Sequence, residues 1–554
     1  MKSKLIIGLL LLTMSCGQNK KTENTETMKT DTQTPFYWKS ANVYFLLTDR
    51  FNNGNPDNDL VLERTEEPGK LRGFEGGDLK GVTKKINEGY FSDLGINALW
   101  MSPIVEQIHG GTDEGTGLTY GFHGYWAKDW TALDPNFGTK EDLKELVEAA
   151  HKKGIRVLLD AVINHTGPVT DVDPVWPDDW VRTGPVCNFD SYDNTVSCTL
   201  VENLPDILTE SDENVELPSV LVEKWQKEGR YEKEMAELDA YFKRTGHPRA
   251  PRFYIMKWLA DYITEYGIDG YRADTVKHTE EYVWQEFKKE CDEAFNLYKQ
   301  QNPEKVLDDT PFYLVGEVYN YGVSTGRLFD FGDRKVDYFD EAFESLINFE
   351  FKSDAHKSYE EVFSKYSSIL ENDLKEFGTL NYLSSHDDGS PFDAKREKPF
   401  RAANKLLLSP GTSQVYYGDE SVRTLIVEGT EGDATLRSFM NWEDIATDAH
   451  TQKVLGHWQK LGKFRRDHPA VGAGKHQMIT EAPYVFYRSF TDGDYKDLVV
   501  IGIDVPEGYK ELSIGRVFAD GDVLLDSFSG QEVTVKDGKV SFETPFGIVL
   551  LAKK

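Results

Sequence analysis

Short apolar runs alternate with amphipathic stretches of helical period along most of this chain. The runs at 43–48, 97–104, 156–163, 269–276, 311–316, 336–339, 379–384 and 413–417 read as buried parallel strands. Helical periods at 82–94, 143–153 and 254–266 lie between them, and Gly95, Gly154 and Gly267 stop those helices. Eight strands separated by helices predict a closed (β/α)8 barrel, an α/β fold whose active residues gather at the C-terminal strand ends.

The alternation breaks over 166–251, too long a stretch for an ordinary βα loop, which predicts an inserted lobe carrying one strongly charged helix at 217–245. Beyond 470 the pattern changes to strand-like runs at 484–490, 498–503 and 540–551, with Asp-Gly turns between them, and an antiparallel β-sandwich is expected over 470–554. The barrel then takes 36–165 and 252–469. At the other end, Lys2 and Lys4 precede an apolar run at 5–12 that is too short to span a bilayer. With Thr13-Met14-Ser15-Cys16-Gly17 it resembles a bacterial lipoprotein signal over 1–16, Cys16 becoming the acylated first residue; ordinary secretion is the alternative. The polar stretch 17–35 reads as a tether. The resulting address is export, with a lipid anchor in the bacterial cell envelope.

Composition narrows the partners. Lys and Arg number 63 against 94 Asp and Glu, a net charge of −31, which argues against nucleic acid or an anionic membrane surface. Eleven Trp in a charged chain suit sugar stacking, although a large core uses the same rings. Cys187 and Cys198 flank a loop-like segment, and an oxidising compartment would join them, while Cys291 falls in a helical pattern as a buried thiol.

Chemistry collects at the strand ends. Arg272 and Asp274 lie two apart and so point to one side, and Asn164-His165, Glu317 and His386-Asp387 close three other runs. Three carboxylates at the rim of one barrel suit glycosidic cleavage, with one attacking and one protonating the leaving oxygen. A metallohydrolase could use similar residues, but the His-x-His and His-Glu-x-x-His spacings of a catalytic zinc are absent.

Four blocks, Asp160-Ala161-Val162-Ile163-Asn164-His165, Gly270-Tyr271-Arg272-Ala273-Asp274-Thr275-Val276-Lys277-His278, Val315-Gly316-Glu317-Val318 and Ser385-His386-Asp387-Asp388, resemble in order the signature regions of the α-amylase family of glycoside hydrolases. His123-Gly124-Tyr125-Trp126 is similar to its substrate-stacking segment and Leu204-Pro205-Asp206-Ile207 to its fifth region. The resemblance implies Asp274 as nucleophile, Glu317 as acid/base and Asp387 as the residue that grips the distorted sugar. It also implies Tyr125, Trp126, His165, Arg272, Lys277, His278 and His386 as substrate contacts. Calcium is the implied metal, held by Asn164, Asp206 and the His278 carbonyl where barrel and lobe meet. A second calcium resembles the loop of cyclodextrin glucanotransferases, on Asn53, Asn55, Asn58, Asp59, the Gly76 carbonyl and Asp78, with Asn53 where an acid is frequent. A solvated turn is the alternative there. The Cys187–Cys198 pair also matches a disulfide of some amylases.

Within the family the implied activity is retaining endo-hydrolysis of α-1,4-glucosidic bonds in starch, glycogen or maltodextrins, because α-1,6-specific members commonly carry Lys where Asp206 stands. The long charged insert at 217–251 is most similar to exported α-amylases of Gram-negative bacteria that degrade maltodextrins. The alternatives are a glucanotransferase, a class expected to carry further C-terminal domains, and a lipoprotein that only captures starch.

Overall fold

The computed structural model of the chain describes residues 34–113 and 115–554. The signal with Cys16, and the tether up to residue 33, lie outside the described residues. Eight parallel strands close into a barrel: β1 (Asn42–Leu46), β2 (Ala98–Met101), β3 (Arg156–Ala161), β4 (Gly270–Ala273), β5 (Tyr313–Gly316), β6 (Ser345–Asn348), β7 (Gly378–Tyr382) and β8 (Thr412–Tyr416). Each pairs with its sequence neighbour, and β1 pairs with β8. Every residue of these strands is buried, because helices cover the outside and side chains fill the inside.

The sixth strand is not the run at 336–339. Lys335–Val336 pairs antiparallel with Phe329–Asp330 in a hairpin outside the barrel, and Tyr338–Glu341 is one helical turn. The barrel position belongs to Ser345-Leu346-Ile347-Asn348, whose polar ends are satisfied internally. Asn348 Nδ2, for instance, donates to Asn381 Oδ1 of β7 at 2.9 Å.

The helices that matter for the rim are α1 (Leu79–Glu88), α2 (Lys140–Lys152), α3 (Ser219–Lys227), α4 (Tyr231–Thr245), α5 (Pro251–Tyr266) and α6 (Glu281–Gln301). Asp78 caps α1, and a Thr139–Asp142 capping box starts α2. Helix α5 starts with Pro251 in its first turn and stops at Gly267, whose φ of 71° and close approach to the Tyr298 ring exclude a Cβ. That stop feeds β4 directly. The single charged helix expected at 217–245 is two, α3 and α4, divided at Gly229 (φ 71°).

The lobe lies between β3 and β4. It contains a two-residue ladder, Val181–Arg182 against Asp206–Ile207, and the Cys187–Cys198 disulfide. Tryptophans seam lobe to barrel: Trp176 against Trp180 at 5.1 Å, Trp180 against Trp258 at 6.5 Å, and Trp225 against Trp258 at 6.2 Å. Seven of the 11 Trp are fully buried, so most of the tryptophan is core rather than sugar platform.

Past α7 (Ala449–Asp467) the chain forms eight antiparallel strands, β9 (Lys475–Thr480), β10 (Tyr484–Asp492), β11 (Tyr495–Ile503), β12 (Gly508–Ser513), β13 (Val523–Asp526), β14 (Gln531–Thr534), β15 (Lys539–Thr544) and β16 (Ile548–Lys553). Six form a sheet in the order β9-β10-β11-β16-β13-β14, and β12 pairs with β15. Val500 and Leu551 of the first sheet share a core with Leu512 and Val540 of the second, as in a sandwich. Among the described residues no helix is long and apolar enough to cross a membrane.

Candidate active site

Strands β4 and β5 are in register, with Ala273 opposite Gly316. The next residue on each is an acid, so Asp274 and Glu317 stand side by side at the C-terminal rim, about one strand spacing apart (~4.8 Å). Arg272 lies beneath them, one of the largest fully buried side chains. Its Nη1 reaches Asp274 Oδ1 at 2.6 Å and Asp160 Oδ1 at 3.0 Å, and its Nη2 reaches Glu317 Oε2 at 3.1 Å. One planar cation thus fixes three carboxylates from three strands.

Burial pushes Glu317 up to about 8; Arg272 opposes this, and the charges of Asp274 and Asp387 add to it. The Thr275 amide donates to Glu317 Oε2 at 3.0 Å. To aim that amide, Thr275 adopts φ 49° and ψ 38°, a left-handed conformation that is strained for a β-branched residue. Asp160 is the buried acid within β3. It is pushed up to about 7 by burial against the pull of Arg272, and it accepts from Trp100 Nε1 at 3.1 Å and Tyr125 Oη at 3.0 Å.

Asp387 closes the constellation from the loop after β7. Burial alone would raise its carboxyl, but His386, Arg272 and the Ser385 hydroxyl at 3.0 Å outweigh it and hold it below the ordinary range. The His386 ring stacks on Tyr125 with centroids 5.1 Å apart, and burial lowers it to about 4, so it is neutral at pH 7. His165 Nε2 lies 3.1 Å from the Tyr125 carbonyl. Trp126 packs on Ile108 and Leu204, and its backbone amide donates to Gln107 Oε1 at 2.6 Å. His278 Nδ1 meets the Thr195 carbonyl at 3.1 Å, and its ring faces Phe189 edge-on.

Asp274, Glu317, Asp387, Tyr125, Trp126, His165, Lys277, His278 and His386 line one cleft of about 550 Å³, so the catalytic and substrate-contact residues expected from sequence come together with Arg272 as their floor. The cleft also holds residues that sequence reading did not single out. His123 accepts from the Tyr125 amide at 3.1 Å, Arg437 donates to the His386 carbonyl at 2.9 Å, and Arg72, Asp433, Phe189 and Tyr319 complete the walls. His123 opens the His123-Gly124-Tyr125-Trp126 segment; the others come from loops without a local signal.

Among the described residues no three His, Cys, Asp or Glu side chains gather as a metal site, so a calcium site here would combine at most two carboxylates with amide and carbonyl oxygens. The loop after β1 fits one. The amide oxygens of Asn53 and Asn58 are buried without a hydrogen-bond partner. Asn53 Nδ2 and Asp59 Oδ1 are 2.8 Å apart, and a Cβ on Gly76 would come within 2.7 Å of both, so these groups surround one point. Asp78 is spent otherwise: its carboxylate accepts from the amides of Gly54, Asn55 and Gly81. At the lobe junction the fit is poorer. Asn164 Oδ1 has only a 3.4 Å hydroxyl contact from Thr279, but Asp206 Oδ2 already lies 2.7 Å from Arg182 Nε. An ion there would share Asp206 with a guanidinium.

Comparison with known proteins agrees with this geometry. The family described as alpha amylase, catalytic domain, matches residues 45–465. The periplasmic alpha-amylase of Escherichia coli K12 is 36% identical over 537 residues, 86% of this chain and 74% of that protein. The cyclomaltodextrin glucanotransferase of Thermoanaerobacterium thermosulfurigenes is 26% identical over 540 residues, 91% of this chain but 65% of its own length. An Anoxybacillus alpha-amylase structure shares the fold with a TM-score of 0.63 at 24% identity, over 94% of this chain and 99% of that one. CldA, described as a cyclomaltodextrin glucanotransferase with a three-domain ABC distribution, gives 0.63 at 20% identity over 92% and 99%. Domain number therefore does not separate hydrolase from glucanotransferase, contrary to the sequence expectation. The family match spans most of the chain, and the chain is a glycoside hydrolase of the α-amylase family.

Proposed function

We propose that the protein is an exported α-amylase that hydrolyses internal α-1,4 bonds of starch, glycogen or maltodextrins with retention of configuration. The observation that carries this reading is the in-register pair Asp274 and Glu317 sharing Arg272. Both acids reach the one Arg272 guanidinium, Asp274 at 2.6 Å and Glu317 at 3.1 Å, so nucleophile and acid are close neighbours, as the retaining mechanism requires.

Asp274, bonded to Arg272, attacks the anomeric carbon as the carboxylate. Glu317, protonated at neutral pH, delivers its proton to the departing glycosidic oxygen. In the second step Glu317, now ionised, takes a proton from water as it attacks the glycosyl–Asp274 ester, which restores both residues. Asp387 and neutral His386 bond the hydroxyls of the distorted sugar, and Tyr125 offers its face. Calcium on Asn53, Asn58, Asp59 and the Gly76 carbonyl would supply charge that rigidifies the rim and takes no part in the reaction.

Export is supported by the disulfide and by the periplasmic description of the 36% identical relative. A second reading, transfer to another sugar, is favoured by Phe189 (49% exposed) and Tyr319 (44% exposed) at the cleft wall, where an acceptor could stack before water arrives. Reducing ends released from soluble starch, with products sized and Asp274→Asn as control, test the proposal. Steady release of linear fragments supports hydrolysis, cyclic or lengthened products support transfer, and binding without release supports capture.

A further inference from the structure

Lys277 follows the nucleophile by three residues, on the short 3-10 turn Val276–His278. Among the described residues its ammonium has no hydrogen bond or ion pair. Three rings surround it instead, Tyr319 at 5.3 Å, Phe189 at 5.7 Å and Phe329 at 5.7 Å. They come from three separate excursions: the disulfide-closed loop, the loop after β5, and the Phe329–Val336 hairpin. Phe189 and Tyr319 line the cleft, whereas Phe329 touches the lysine without lining the cleft.

The hairpin is tied to the disulfide loop. Phe329 packs edge-on against Phe331 at 5.0 Å, and Phe331 against Tyr192 at 5.1 Å. The Tyr192 amide donates to Asp333 Oδ1 at 2.9 Å, and the Arg334 guanidinium sits 3.9 Å over the Tyr192 ring.

We infer that Phe329 is a positioning residue: it completes an aromatic cage that holds the Lys277 ammonium over the acceptor side of the cleft, with the hairpin setting how tightly leaving-group sugars bind. A cation within about 6 Å of a ring centre is attracted by the ring face, all three rings lie within that range, and the lysine itself lines the cleft. A lysine held by rings rather than by carboxylates keeps all its N–H donors for substrate hydroxyls. The inference rests on the proposed glycosidase reading.

The test compares maltoheptaose, which reaches the acceptor side, with α-maltosyl fluoride, whose leaving group does not. Phe329→Ala should raise KM for maltoheptaose about five- to tenfold with kcat within about twofold, and leave both constants for the fluoride unchanged. Phe329→Tyr should restore the parent KM. Phe329→Leu, which keeps volume but loses the π face, should behave as Phe329→Ala and covers the case in which alanine unfolds the hairpin. On a Lys277→Met background, Phe329→Ala should add nothing further. Additive losses, restoration by Leu, or equal losses on both substrates would overturn the cage. Fluoride turnover by the parent enzyme reports on the glycosidase reading independently, so failure of one is distinguishable from failure of the other.

Discussion

Arg272 Nη2 lies 3.1 Å from Oε2 of Glu317, yet that acid is pushed up to about 8 because burial, with Asp274 and Asp387 nearby, outweighs the guanidinium. Glu317 is therefore in the form that the first step consumes at neutral pH. kcat/KM for maltodextrins should fall on the alkaline side with an apparent pKa near 8. In Glu317→Gln that limb should disappear from kcat/KM for α-maltosyl fluoride, which needs no acid; pH–rate profiles of the two proteins check it.

The same shift has a stability consequence. A carboxyl raised in the folded state binds its proton more tightly there than in the unfolded chain, where its pKa is about 4.3. The stability it contributes is fully present below about pH 4.3 and is lost as pH rises through about 8. Glu317→Gln does not titrate, so its Tm relative to the parent should climb between about pH 5 and pH 9 in scanning calorimetry. A difference that stays constant with pH would contradict the assigned environment of Glu317.

Arg272 is the only cation bonded to Asp160, Asp274 and Glu317 among the described residues. Arg272→Ala leaves those buried carboxyls without it and should destabilise by about 3–5 kcal/mol, read as a shifted denaturant midpoint. Arg272→Lys, which cannot span the three acids with one fork, should recover only part of this.

Calcium should act mainly through the loop after β1. A chelator should lower Tm of the parent, since removing an ion held at a hundredfold excess over its Kd forfeits about 2.7 kcal/mol. Asp59→Ala should abolish most of that response, whereas Asp206→Ala, whose carboxylate already faces Arg182, should retain it. A response lost with Asp206→Ala and kept with Asp59→Ala would place the ion at the lobe junction instead.

The barrel was legible because buried parallel strands are continuous apolar runs and because four of them end in ionisable residues. The sixth strand escaped because Ser345 and Asn348 are polar residues satisfied inside the barrel, so hydropathy hides them, while the 336–339 run is apolar yet lies beside the barrel. The split of 217–245 was written in Gly229, which periodicity alone passed over. Residues in short contiguous blocks, such as Asp274, Glu317 and Asp387, could be read locally. Arg72, Arg437 and Phe329 reach the cleft or its lysine from distant loops, and only the closed barrel brings them there. Asp160 lay in plain view as a charge inside an apolar strand, and its partners Trp100 and Tyr125 show why a carboxyl is tolerated there.

The most direct test of the central claim is the mass of Glu317→Gln after incubation with α-maltosyl fluoride. With its nucleophile intact and its water-activating base removed, the variant should form the glycosyl ester faster than it hydrolyses it. The protein should then gain one maltosyl unit, located by digestion on the peptide that carries Asp274. An adduct on any other residue, or product of inverted configuration with no adduct, would contradict the account.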